Sequence, residues 1–135
     1  PDLERLLPLF DHAGIACRRP AMPAGWYLTR RGFGERNRRL LEVAEQLLMA
    51  ITPQLLNAAQ LKPDAIDAVV CVSSTGIAVP SLDARLGDRL GLRADVCRLP
   101  LFGLGCAGGV LGLTAAARIA RAEPKSRMLL LVVEL

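Results

Sequence analysis

Apolar residues run along the chain in two rhythms. Residues 68–72 (Ala-Val-Val-Cys-Val) and 128–133 (Met-Leu-Leu-Leu-Val-Val) are short unbroken apolar runs between turn residues, the signature of strands buried on both faces. Residues 96–99 supply a shorter strand between them. Elsewhere the rhythm is helical. Leu40, Ala44, Leu47, Ile51 and Leu55 form one apolar stripe and predict a helix over residues 34–59. Thr52-Pro53 falls inside it, and an interior proline costs about 3 kcal/mol, so a kink or two abutting helices are expected there. Leu82, Leu86 and Leu90 mark a second helix opened by Pro80-Ser81, and the alanine-rich residues 111–122 mark a third. Near the start, residues 2–10 predict a short helix with Leu3, Leu6, Leu7 and Phe10 near one face, disturbed by Pro8 and stopped at Gly14. Residues 21–31, rich in Pro and Gly, predict a loop that Trp26 and Tyr27 anchor on the body.

Strand, helix, strand, helix, strand in that order predicts an α/β fold with a mostly parallel central sheet flanked by helices. The three apolar runs should be neighbours in one sheet, with the helix over 106–122 against it. No repeat, low-complexity tract or linker divides the chain, so one domain over 1–135 is expected.

Ligands of parallel sheets bind beyond the carboxyl ends of the strands. Residues 73–76 (Ser-Ser-Thr-Gly), 103–106 (Gly-Leu-Gly-Cys) and Glu134 are all predicted there. Cys106 stands among four glycines at a sharp strand-to-helix turn. Unpaired amides and the helix dipole at such a place favour thiolate over thiol, which suits a nucleophile. A small cysteine in a glycine turn can equally be a packing residue. Gly103, Gly105 and Gly108 also match the G-x-G-x-x-G of dinucleotide-binding turns, with Glu134 placed as a ribose-binding acid.

Composition narrows these choices. Of 135 residues, 52% are hydrophobic and 22% charged, which excludes a disordered chain, and no apolar run reaches transmembrane length. The net charge of +4 suits an anionic ligand, but nothing interleaves aromatic with basic residues as nucleic-acid binding would require. Arg30, Arg31, Arg36, Arg38 and Arg39 cluster at the start of the long helix and read as a solvated face. Cys17, Cys71, Cys97 and Cys106 have no C-x-x-C spacing, and His12 is the only histidine, which argues against a metal site and for a reducing, cytoplasmic compartment. The chain opens on Pro1 and stops in an apolar run, so it is expected to be incomplete at both ends.

Two long motifs, in order, carry a resemblance. Residues 72–86 (Val-Ser-Ser-Thr-Gly-Ile-Ala-Val-Pro-Ser-Leu-Asp-Ala-Arg-Leu) and 98–109 (Arg-Leu-Pro-Leu-Phe-Gly-Leu-Gly-Cys-Ala-Gly-Gly) resemble the nucleophile region of bacterial type III polyketide synthases. These are the chalcone/stilbene synthase-like enzymes of the thiolase superfamily. Asn37 within residues 34–37 and the turn over 61–67 also fit, and the likeness runs from about Gly14 to Leu135. It implies the N-terminal half of a thiolase-like fold, in which Cys106 takes an acyl group from acyl-CoA and malonyl-CoA supplies extension units by decarboxylative condensation. It also implies that Ser74 and Thr75 line the substrate pocket, that Val79 reaches across a homodimer interface, and that Arg18 and Arg19 meet CoA phosphate. No cofactor besides the CoA thioesters is implied.

The sequence departs from the family in two ways. The family's catalytic His and Asn belong to a C-terminal half not found here, and His12 matches neither; Pro53 is also unexpected in the long helix. The competing readings are an acyltransferase fragment inactive in full turnover, a non-catalytic dimerisation or interaction fragment, and a dinucleotide-binding module.

Overall fold

The computed structural model describes residues 4–135, in two compact units that divide after Arg30. In the first, a 3-10 turn over Glu4–Leu6 leads into helix α1, Leu7–His12. The predicted start at Asp2 lies outside the described residues. Pro8 does not disturb α1, because it sits in the first turn, where its missing N–H has no intrahelical partner to lose. Gly14 follows at φ +64°, the left-handed conformation of a helix stop. The loop predicted over 21–31 contains a short helix, α2 (Ala24–Tyr27), which begins after Pro23. Trp26 and Tyr27 meet edge to face at 5.1 Å, and the Tyr27 hydroxyl accepts from Met22 N–H at 3.2 Å.

The second unit holds the sheet. Its elements are α3 (Phe33–Ala58), β1 (Ala68–Val72), α4 (Leu82–Leu90), β2 (Cys97–Leu101), α5 (Gly108–Ala122) and β3 (Met128–Val132). The strand order is β2-β1-β3 and both pairings are parallel, as predicted; Val70 stands opposite Leu99 on one side and Leu130 on the other. β1 is central and buried along its whole length. β2 starts one residue later than predicted because Val96 closes a turn, its N–H donating to Arg93 O. It then runs on through Pro100, which an edge strand tolerates.

Alternation along β1 divides the core. Val69 and Cys71 join Leu129, Leu131, Ala44 and Leu48 of α3 and the leucines of α4 on one face. Val70 and Val72 meet Ala116 of α5 on the other. Helices therefore cover both faces. α5 comes very close: a Cβ at Gly112 would lie 2.6 Å from Val72 Cγ2, and one at Gly108 2.8 Å from Val72 Cγ1.

The predicted stripe on α3 is corrected. Ala44, Leu48, Thr52 and Leu56 are buried, whereas Leu47, Ile51 and Leu55 are about half exposed. The helix carries two adjacent apolar rows, and the row one residue further on faces the core even though it includes a threonine. Two abutting helices are not seen: a single helix passes through Pro53. Beside it the Gln54 side-chain amide donates to Ala50 O at 2.9 Å, adding a hydrogen bond to the turn that the proline weakens.

Candidate functional site

The carboxyl ends of the three strands converge, and the chain leaves them in three short segments that bond to one another. After β1 come Ser73 to Gly76. After β2 comes the turn through Gly103 to Gly105. After β3 comes Glu134. Parallel strands with helices on both faces must leave the sheet on this side, and it is here that α5 begins.

Glu134 ties the segments. Its two carboxylate oxygens each accept from Ser74 N–H at 2.9 Å, and Oε2 also accepts from Thr75 N–H and the Thr75 hydroxyl, both at 3.1 Å. The Thr75 hydroxyl in turn accepts from Leu135 N–H at 3.1 Å. Successive amides aimed at one anion form a nest. This speaks against the rival dinucleotide-binding reading, in which Glu134 would bind a ribose: its oxygens are occupied by the chain's own loop.

Ser74 passes the connection to β2. Its hydroxyl accepts from Gly105 N–H at 3.0 Å, one residue before Cys106. Gly103 and Gly105 hold φ of +78° and +54°, which side chains with a Cβ rarely adopt, so these glycines shape the turn. Gly108 serves close helix–strand packing instead. The helix expected from residue 106 begins at Gly108, so Cys106 lies in a single 3-10 turn, Gly105–Ala107, that runs into α5. Its thiol is exposed and free.

The loop after β1 is held from below by α3. Asn37 Oδ1 accepts from Ile77 N–H at 2.8 Å and its Nδ2 donates to Ile77 O at 2.9 Å. Gly76 lies against that side chain: an added Cβ there would come within 3.1 Å of Asn37 Oδ1. Val79 is 90% exposed and Pro80 is exposed, as predicted, but Ala78 is half-buried against the core.

Beside this loop a cavity of about 340 Å³ is lined by Cys71, Ser73, Asp83, Pro100 and Phe102, among others. Asp83 is 2% exposed, and its nearest cation is Arg98, with Nε at 3.9 Å from Oδ2. Burial, reinforced by the Asp83 carboxylate, pushes the Cys71 thiol up to about 12.

The structure thus brings Ser74, Thr75 and the Cys106 turn together through Glu134. Arg18 and Arg19 are exposed in the first unit. In the arginine cluster Arg31 pairs with Glu35, and Arg39 with Glu42 at 2.7 Å. Two links that hold the loops of the site escaped the sequence, the Glu134 tie and the Asn37–Ile77 clamp. Both join residues far apart in the chain, and the only local signal was the placing of Glu134 at a strand end. Among the described residues no cluster of His, Cys, Asp and Glu fits a metal ion, and no helix is long and apolar enough to cross a membrane.

Residues 17–135 match the family model for FAE1/type III polyketide synthase-like proteins. The chain is 42% identical over 134 residues to 1,3,6,8-tetrahydroxynaphthalene synthase of Streptomyces peucetius subsp. caesius, covering 99% of this chain and 36% of that protein. It is 35% identical over 139 residues to a putative chalcone synthase of Bacillus subtilis (strain 168), covering 99% of this chain and 38% of that one. Among solved structures, 1,3,6,8-tetrahydroxynaphthalene synthase of Streptomyces coelicolor A3(2), a bacterial type III polyketide synthase, superposes with a TM-score of 0.92 at 30% identity over 99% of this chain and 38% of its own. The chain therefore spans little more than a third of the length of these relatives.

Proposed function

The chain belongs to the FAE1/type III polyketide synthase-like family and has its thiolase-like fold, and on that footing we propose that Cys106 is the acyl acceptor of a polyketide synthase. The observation that carries the proposal is the position of Cys106: exposed, at the carboxyl end of a parallel sheet, on a turn that two positive-φ glycines and the Ser74 hydroxyl hold in place.

The chemistry follows from the thiol. The Cys106 thiolate attacks the carbonyl carbon of an acyl-CoA. The negative charge that develops on the carbonyl oxygen is met by the backbone N–H of Cys106. When the intermediate collapses, the C–S bond to CoA breaks, a new thioester to Cys106 remains, and the released CoA thiolate takes up a proton. A thiolate suits this exchange because it is both a soft nucleophile and a fair leaving group for the next condensation. Ser74 and Thr75 are proposed to line the acyl pocket, and Arg18 and Arg19 to meet CoA phosphate.

Condensation with malonyl-CoA is proposed for a longer protein that carries the family's His and Asn. The single histidine here, His12, is exposed in the first unit and is given no part in it. The 135 residues are expected to acylate slowly and not to decarboxylate malonyl-CoA. A homodimer is proposed as well. Val79, 90% exposed, is its contact residue, and the apolar Val110 and Leu113 on α5, 70% and 61% exposed, favour association.

The test is incubation with acetyl-CoA followed by intact-mass measurement. One acetyl group on the wild type and none on Cys106→Ala is the expected result. An adduct that survives in Cys106→Ala moves the nucleophile elsewhere, and decarboxylation of malonyl-CoA by this chain alone overturns the assignment of that step.

A further inference from the structure

Glu134 enters neither the acyl transfer nor the pocket described above, yet more hydrogen bonds converge on it than on any other carboxylate among the described residues of the site. We propose that Glu134 is a positioning residue for the nucleophile, acting on Cys106 through Ser74; this rests on the reading of Cys106 as acyl acceptor. The connection is continuous. Both carboxylate oxygens take the Ser74 N–H at 2.9 Å, which fixes the Ser74 backbone. The Ser74 hydroxyl then accepts from Gly105 N–H at 3.0 Å, which fixes the residue immediately before Cys106. Gly105 has φ +54° and no side chain of its own to hold it, so this hydrogen bond, together with the one its carbonyl accepts from Gly108 N–H, restrains the direction of the turn.

Glu134 also reaches the start of α5. Its Oε1 lies 3.8 Å from the position a Cβ on Gly108 would take, so one carboxylate abuts both the loop that holds the turn and the helix that follows it. The charge suits both neighbours: successive backbone amides and the amino end of a helix each favour an anion. An amide serves less well. Glutamine with its oxygen at the Oε2 position still accepts from Ser74 N–H, Thr75 N–H and the Thr75 hydroxyl, but its NH₂ then stands against Ser74 N–H where Oε1 accepted at 2.9 Å, donor against donor, and the Ser74 backbone is pushed off its place.

If Glu134 acts through Ser74, the two residues are one device and their losses do not multiply. The experiment is a double-mutant cycle on the rate of acetyl transfer from acetyl-CoA to Cys106, with Glu134→Gln, Ser74→Ala and the pair. Iodoacetamide labelling of Cys106 is followed in parallel, because it needs access to the thiol but no orientation of a bound thioester. Each single change is expected to slow acetylation about tenfold, the scale set by one misplaced hydrogen bond. The pair is expected to be no slower than the slower single variant, while iodoacetamide labelling stays within about twofold. A double variant slowed by the product of the two effects overturns the proposal, as does an unchanged rate in either single variant. Where Glu134→Gln loses cooperative unfolding, the cycle is run with Glu134→Asp, whose shorter side chain draws the oxygens away from Ser74. Absence of any acetyl adduct in the wild type is a separate result: it removes the acyl-acceptor reading and this inference with it.

Discussion

Asn37 and Ile77 form a closed pair: the side-chain amide of Asn37 takes both backbone polar atoms of Ile77, at 2.8 and 2.9 Å. An amide is the one uncharged side-chain group that offers a donor and an acceptor side by side, so it satisfies a loop residue as a neighbouring strand would. The loop after β1 is thereby fixed to the first turns of α3. Asn37→Ala is expected to cost about 1–3 kcal/mol, two hydrogen bonds at a half-buried site. Asn37→Asp keeps the acceptor for Ile77 N–H but sets a carboxylate oxygen against Ile77 O where the amide donor stood, so it is expected to cost at least as much as Asn37→Ala. Urea unfolding of the three proteins checks the order.

Helix α5 can approach β1 only because it carries glycine there. With Val72 Cγ2 2.6 Å from a Cβ at Gly112, and Leu130 Cδ1 at 3.2 Å, Gly112→Ala overfills the layer. Overpacking costs about 1–3 kcal/mol against a gain in helix propensity of up to about 1 kcal/mol, so the net effect is destabilising. Val72→Ala in the same chain removes the clashing methyls. The double variant is expected to lose less stability than the sum of the singles, measured by thermal or urea unfolding.

The cysteines should differ sharply in reactivity. Cys17, Cys97 and Cys106 are exposed, whereas Cys71 is buried, with its thiol pushed up to about 12. At pH 8, iodoacetamide is expected to add three labels to the native chain, and the fourth only with denaturant. The same shift has a sign for stability. A thiol held above its ordinary value near 9 in the folded state contributes fully below that value, and the contribution is lost as pH rises toward 12. Cys71→Ser or Cys71→Ala should flatten that alkaline decline in a pH series of unfolding curves.

At the opposite end of the sheet Asp67 receives Arg127 N–H at 2.8 Å and the Arg93 guanidinium at 3.1 Å. The Arg127 amide, then the Arg93 hydrogen bond, lower its carboxyl below the usual range. A depressed carboxyl stabilises above its unfolded value and loses that contribution as pH falls through the folded one. Asp67→Asn is therefore expected to reduce stability at pH 7 and to leave a shallower loss as the pH falls below the ordinary carboxylate value near 4, followed by circular dichroism across an acid titration.

What the sequence disclosed, and what it did not, divides along range. Leu82, Leu86 and Leu90, the run over 68–72 and the glycine turn before Cys106 are local patterns, and each lies where it was expected. The buried row of α3 was not legible, because Leu47, Ile51 and Leu55 are as apolar as Leu48, Thr52 and Leu56 and the helix alone does not say which row meets the sheet. The work of Glu134 was hidden for a related reason. A carboxylate at a strand end reads as a ligand group until the loop that occupies it is placed beside it, and that loop lies 60 residues earlier in the chain.

The strand order also has a consequence for how the molecule is made. The central strand is synthesised before either neighbour: Ala68 pairs with Cys97 on one side and with Met128 on the other. No hairpin closes the sheet early, so five residues that end wholly buried emerge from the ribosome with both edges open, and one edge waits for β3. Sheets assembled from distant segments form slowly and leave such edges exposed to other chains. In this protein Ala68 to Val72 is that segment, so its survival during synthesis depends on how soon α4 and β2 arrive to cover it.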